Sequence, residues 1–197
     1  MNLKKINIYF MLVVILIIGI GILKIQFNKK KTLNKKDIKL TSSENKEDSE
    51  EISLKTLKFI PSFNLKDEKD KEINSGIFKD NKITLVNLWG SWSKDSLDEL
   101  VYIEEIHNEM KDQGVNVIGI VEDGPKNKKG IKYILRNENI TFRNIIPNEE
   151  FYREFVSLFS SYPYSVIVDS NGKIIEFING RREKSQYKNL IEKALKK

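Results

Sequence analysis

Seven consecutive residues, Ile83-Thr-Leu-Val-Asn-Leu-Trp89, constrain this chain more than any other stretch. The run is almost continuously apolar and lacks the alternation that would leave one face in water. Such a run suits a central strand covered on both sides. A strand of that kind needs helices to cover it, so helical sequence should flank it. Residues 94–111 meet this demand, with Leu97, Leu100, Val101, Ile106 and Met110 spaced among charged positions as in an amphipathic helix. Ser93 stands where an N-cap belongs, and Gly114 lies just beyond the far end.

The pattern then repeats with variations. Val115–Val121 reads as a second buried strand, and residues 128–138 read as helical. Residues 142–146 form a short strand candidate, and residues 149–159, with Phe151, Phe155, Val156 and Phe159, a short helix. Tyr164–Val168 and Ile174–Ile178 are strands joined by Asp169-Ser-Asn-Gly172, a strong hairpin-turn signal. Residues 185–196 supply a closing helix. The order β-α-β-α-β-α-β-β-α predicts an α/β fold, a central mixed sheet flanked by helices.

The N-terminal quarter is different. Ile6–Leu23 is an 18-residue apolar segment whose one clearly polar side chain is Asn7. At 1.5 Å per residue it is just long enough to cross about 30 Å of hydrocarbon. The segment ends Gly-Ile-Leu-Lys-Ile-Gln, without the small-residue pattern of a cleavage site, which favours an uncleaved transmembrane anchor over a signal peptide. Residues 24–53 are rich in Lys, Asn, Ser and Glu and cannot bury enough apolar surface to offset the entropy of ordering. The expected organisation is a tail at 1–5, an anchor at 6–23, a flexible charged linker at 24–53 and a globular domain at 54–197.

The net charge of +6 is unevenly spread. Residues 1–30 carry five lysines and no acid, whereas residues 54–197 carry 24 basic and 22 acidic side chains. The domain is nearly balanced and shows only short basic clusters, at Lys126–Lys129 and Arg181-Arg182. No nucleic-acid partner is expected of such a surface. Lysines crowd the C-terminal side of the apolar segment, so the positive-inside rule taken alone would put the domain in the cytoplasm.

No cysteine occurs in the sequence and there is one histidine, His107. Disulfides, thiolate metal sites and catalytic thiols are excluded, as is a multi-histidine zinc site. No metal and no cofactor is expected.

Three local features together carry a resemblance. The first is Leu85-Val-Asn-Leu-Trp-Gly-Ser-Trp-Ser-Lys-Asp-Ser96, the second Tyr162-Pro-Tyr-Ser-Val-Ile-Val-Asp-Ser-Asn-Gly172, and the third Pro61-Ser-Phe-Asn-Leu-Lys-Asp67. Taken in chain order, 61–67, 85–96 and 162–172, behind an apolar anchor, they resemble the membrane-anchored TlpA/ResA-type thiol–disulfide oxidoreductases of the thioredoxin superfamily. The resemblance covers residues 54–197. It implies a thioredoxin-like fold and an entry hairpin around residues 61–67. It also implies that Pro163 is a cis proline facing the family's active-site positions. Those positions, cysteines in the family, are here Ser93 and Ser96. It further implies a domain on the extracytoplasmic side of the cell membrane, held by a single pass, against the lysine count.

The reaction of that family needs a thiolate to attack a disulfide sulfur and a second thiol to resolve the product. A serine hydroxyl keeps the position and the hydrogen bonds but cannot form a disulfide. Hydrolytic use of Ser93 would need a positioned base. His107 lies 14 residues further along the same predicted helix, roughly 20 Å away at 1.5 Å per residue. Ser93 reads as a helix cap and Ser96 as a first-turn polar residue. Glu122, at the end of a predicted strand, is a possible site acid by a looser match to the family. The loop before the family's cis proline pairs with extended peptides without using sulfur. Trp92, Tyr162, Pro163 and Tyr164 would then line a peptide groove, and the expected partner is an extracytoplasmic protein or extended peptide. The alternative is an oxidoreductase whose two cysteines have been changed to serine.

Overall fold

The computed structural model describes residues 54 and 56–196. The expected tail, anchor and linker all lie outside these residues. Among the described residues no helix is long and apolar enough to cross a membrane.

The strands are β1 (Asn64–Asp67), β2 (Glu72–Asn74), β3 (Ile83–Trp89), β4 (Val115–Val121), β5 (Arg143–Ile146), β6 (Tyr164–Asp169) and β7 (Ile174–Asn179). The α-helices are α1 (Lys94–Met110), α2 (Gly124–Asn137), α3 (Glu149–Glu154) and α4 (Lys184–Ala194). The sheet runs β2-β1-β5-β4-β3-β6-β7. β3 is parallel to β4 and antiparallel to β6, and β4 is parallel to β5. This is the mixed, helix-flanked α/β sheet that the sequence pattern implied, with the thioredoxin-like arrangement.

β3 lies inside the sheet, between β4 and β6, and all seven of its residues are buried. Because side chains alternate across a strand, Leu85 and Trp89 face one core and Val86 and Leu88 the other. The first core joins them to Leu100, Ile103 and Ile106 of α1, Ile131 of α2, and Tyr187 and Ile191 of α4. The second is built on Phe63, Phe151, Phe155 and Phe159. On that side α3 has only six residues, far short of the roughly 12–15 that an isolated helix needs to persist in water. Its Phe151 packs edge-on against Phe63 at 5.4 Å. Burial of such rings, each worth about 1.5–3 kcal/mol, holds the short helix in place.

Several boundaries differ from the expectation. α2 begins at Gly124 rather than at 128, because Pro125 occupies its first turn, where a missing N–H costs nothing. Asn127 inside it has non-helical angles (φ −128°, ψ 33°), so the first turn is kinked against the remainder of the helix. The helix expected at 149–159 stops at Glu154, since Phe155 leaves the helical region (φ −130°, ψ −58°) before a short 3-10 turn at Val156–Leu158. The break lets Phe151, Phe155 and Phe159 all reach one core. Val101, counted on the apolar face of α1, is 39% exposed, and Ile103 takes the buried place.

The entry hairpin is β1–β2, and it extends the sheet by pairing antiparallel to β5. Asp67 anchors it: its carboxylate accepts from the backbone N–H groups of Lys69 and Lys71 and from Arg143 Nε, each at 2.9 Å. In the β6–β7 turn Asp169 Oδ1 accepts from Asn171 N and Lys173 N, while Gly172 adopts φ +77°, a conformation that favours glycine.

Candidate functional site

β3 ends at Trp89 and α1 begins at Lys94, so Gly90–Ser93 form the connection at the C-terminal end of that strand. Ser93 is the N-cap, extended at φ −93° and ψ 113°, and its Oγ accepts from Ser96 N at 3.3 Å. Its hydroxyl in turn donates to the carbonyl oxygen of Tyr162 at 3.0 Å. The Tyr162–Pro163 peptide bond is cis. The structure thus brings Ser93 against the loop before Pro163, although 69 residues separate the hydrogen-bonded pair in sequence. Ser96 is fully buried, and Gly90 N approaches its Oγ at 3.5 Å.

Among the described residues neither serine is hydrogen-bonded to a side chain that could act as a base. The Oγ of Ser93 is engaged with Tyr162 O and Ser96 N. His107 lies half-buried further along α1 with its ring 6.2 Å from that of Phe142. Burial pushes its imidazole below the ordinary value, despite the nearby Glu104 carboxylate. Among the described residues no three His, Asp or Glu side chains gather closely enough to hold a metal ion.

Trp92 is 63% exposed, with its ring edge-on to Tyr162 at 5.8 Å. Gly90 makes room for it, since a Cβ there would sit 2.8 Å from the indole nitrogen. That nitrogen donates to Glu122 Oε2 at 3.0 Å, and the hydroxyl of Tyr152 donates to Glu122 Oε1 at 2.9 Å. The bond to Glu122 holds the Tyr152 phenol above its usual range, reinforced by partial burial. Pro163 is buried. Tyr164 is placed otherwise than a groove wall requires: it is 6% exposed, with its ring 4.6 Å from that of Phe159. Its position on β6, opposite Leu88, turns the ring into the core.

Beneath the serines lies a polar group that sequence reasoning missed. Glu99 is fully buried on α1, three residues beyond Ser96. Its Oε1 accepts from Arg182 N at 2.7 Å and its Oε2 from Asn87 Nδ2 at 3.1 Å. The same amide group of Asn87 donates to Ser165 Oγ at 3.0 Å, and Ser165 Oγ lies 2.9 Å from the hydroxyl of Tyr187. Asn87 and Ser165 meet because they are register partners across β3 and β6. Burial pushes the Glu99 carboxyl up to about 7, outweighing the hydrogen bonds from Arg182, Tyr187 and Asn87 that favour the charge. Burial, with the Glu99 charge beside it, also pushes the Tyr187 phenol up strongly. The signal for Glu99 was available: helical spacing puts it on the stripe that carries Ser96, Leu100, Ile103 and Met110.

On the other side of Trp92 a cleft of about 870 Å³ opens between the start of α2 and the start of α3. Trp92, Glu122, Asp123, Lys126, Glu149 and Tyr152 contribute to its walls. Ser91 ties the near wall down: its N–H donates to Asp123 Oδ1 at 2.9 Å and its hydroxyl to Asp123 Oδ2.

Comparison with known proteins agrees with this geometry. The chain is 27% identical over 147 residues to the thiol-disulfide oxidoreductase ResA of Bacillus cereus (strain ATCC 10987 / NRS 248), covering 74% of this chain and 82% of that protein. It is 24% identical over 137 residues to ResA of Geobacillus thermodenitrificans (strain NG80-2), covering 67% and 74%. Among solved structures, a thiol:disulfide interchange protein of the thioredoxin family from Chlorobium tepidum TLS superposes with a TM-score of 0.63 at 20% identity, covering 70% of this chain and 96% of that one. StoA from Bacillus subtilis superposes with a TM-score of 0.57 at 17% identity, covering 68% and 99%. These structural likenesses carry the fold. The sequence profile described as the AhpC/TSA family matches residues 56–184, and with a match of that extent the chain belongs to the AhpC/TSA family of redoxins.

Proposed function

We propose that this chain is a membrane-tethered, extracytoplasmic thioredoxin-like protein that performs no thiol–disulfide exchange and binds an extended segment of a partner protein on the surface around Trp92, Tyr162 and Pro163. The observation that carries the reading is the placement of Ser93 Oγ against the Tyr162 carbonyl, beside cis Pro163, in a sequence without cysteine. The fold and the cis-proline loop are intact, but the two positions that would exchange electrons hold oxygen. Disulfide exchange proceeds through a thiolate and a mixed disulfide, and neither can form here. Backbone pairing with a peptide needs no sulfur, and exposed aromatics with a polar tip are favoured at protein contacts. Of the four residues expected to line the groove, Trp92 and Tyr162 offer ring surface, whereas Pro163 is buried and Tyr164, its ring buried on a strand paired on both sides, faces no groove. The apolar segment Ile6–Leu23 supports the tether.

The test is an insulin-disulfide reduction assay on the full chain in non-ionic detergent. No turnover above buffer is expected, and turnover would refute the claim of redox inactivity. A Ser93→Cys/Ser96→Cys double variant serves as the positive arm and is expected to gain activity. Cysteine codons at positions 93 and 96 of the native gene would favour the second reading, an oxidoreductase whose site has been silenced. Protease accessibility on intact cells tests the extracytoplasmic placement. Capture of one envelope protein by a photoreactive residue at position 92 tests the binding role.

A further inference from the structure

The cleft beside Trp92 is acidic in a domain whose charge is nearly balanced. Three carboxylates, Glu122, Asp123 and Glu149, stand on its walls against one ammonium, Lys126. Residues 54–197 as a whole carry a slight basic excess, 24 against 22. Elsewhere on the surface some acids, Asp70, Asp98, Glu105 and Glu109, lie within 4.0 Å of lysine or arginine, and others, such as Asp95 and Glu150, have no such partner among the described residues. Among the described residues none of the three cleft acids has such a partner. Glu122 is instead held by two aromatic donors, Trp92 Nε1 and the Tyr152 hydroxyl, one on each oxygen. One carboxylate therefore sits between two rings at the mouth of an open cavity.

The two helix starts at this cleft do not make it an anion site. Pro125 has no N–H to offer. The N–H groups of Lys126 and Asn127 are directed to Asp123 O, at 3.1 and 3.0 Å. The N–H of Phe151 is taken by Asn148 Oδ1 at 2.8 Å. Aromatic faces beside carboxylates match a cation that carries an apolar stem.

We propose that this cleft receives a lysine or arginine side chain of the partner segment, so that the protein selects extended peptides bearing a basic residue next to the stretch that pairs with the Tyr162–Pro163 loop. The inference rests on the protein-binding reading above and adds the chemistry of the partner to it. Glu122 and Glu149 supply the charge, and Trp92 and Tyr152 cover the aliphatic stem.

The experiment is selection of a random dodecapeptide display library on the full chain in non-ionic detergent. Enrichment of Lys or Arg at one position is expected, with Asp and Glu depleted there. A selected peptide is then synthesised with its arginine (or the homologous residue) replaced by neutral citrulline and measured by fluorescence anisotropy. About tenfold weaker binding is expected, in line with a partly desolvated charge contact. Against a Glu122→Gln/Glu149→Gln variant the two peptides should bind equally. Peptides selected without charge preference, or equal affinity of the arginine and citrulline forms for the unsubstituted chain, would overturn the cation assignment and leave the binding role standing. A library that yields no enriched peptide would overturn both.

Discussion

Glu99 and Glu122 lie on opposite sides of the same helix start and have opposite surroundings. Glu99 is sealed under α1, fully buried, with Arg182 N, Asn87 and Tyr187 around it. Glu122 is half-buried at the rim of an open cleft, between Trp92 and Tyr152. The residue type is identical, yet one carboxyl is pushed up to about 7 and the other bonds two exposed-side donors. Access to water makes the difference: a charge without solvent must be stabilised entirely by fixed dipoles, and those around Glu99 do not suffice.

The contrast can be broken most forcefully through pH. An ordinary glutamate titrates at 4.5 in the unfolded chain, and Glu99 does so at about 7 in the folded one. Between these values the folded state holds a proton that the unfolded state has lost, so this contribution to stability falls as pH rises from about 4.5 to about 7 and is flat on either side. At 1.36 kcal/mol per unit the loss amounts to about 3 kcal/mol. Glu99→Gln should flatten the profile in urea melts taken from pH 5 to pH 8. An unchanged slope would mean that Glu99 does not carry it.

A third glutamate, this one on α1 like Glu99, sharpens the comparison with the opposite sign. Glu104 is 8% exposed and accepts from Thr141 N at 2.7 Å, from Phe142 N at 3.4 Å, from Asn108 Nδ2 at 2.8 Å and from the Thr141 hydroxyl. Burial acts to raise its pKa, but these bonds, led by Thr141, hold it below the usual value of 4.5. Its contribution is therefore complete above the unfolded value and is lost as pH falls through the folded one. Glu104→Ala should cost about 2 kcal/mol at pH 7, read as a lower urea midpoint. The difference from the parent chain should shrink in acid.

The smallest effect belongs to the rim. Glu122→Gln should change stability by no more than about 0.5 kcal/mol. It should also return the Tyr152 phenol toward its ordinary 10.0, since the bond to Glu122 is the leading cause of its rise. Ring-carbon chemical shifts of Tyr152 followed through alkaline pH would detect this. A titration that stayed put would show that the carboxylate does not govern the phenol.

The framework of the site was legible in sequence because its signals are local. The continuous apolar run of β3, the N-cap Ser93 and the turn at Asp169–Gly172 all act over a few residues and stand where periodicity and turn chemistry put them. Glu99 was not legible as a buried acid. Spacing places it on the covered stripe, but its partners come from 12 residues earlier and 83 later. The placement of Tyr164 differs from the expectation for a related reason. Its place in the motif suggests a groove, whereas the alternation of β6 and the packing of Phe159 turn its ring inward.

Composition alone shows that this chain offers no thiol for disulfide exchange, because no arrangement of serines can move electrons between sulfur atoms. Local pattern settled the alternation of strand and helix, because hydrogen bonding and side-chain period are properties of neighbouring residues. Which carboxyl would be sealed and which left facing water was decided only by the tertiary structure. Burial is set by every element that closes over a position, and those elements are distant in the chain.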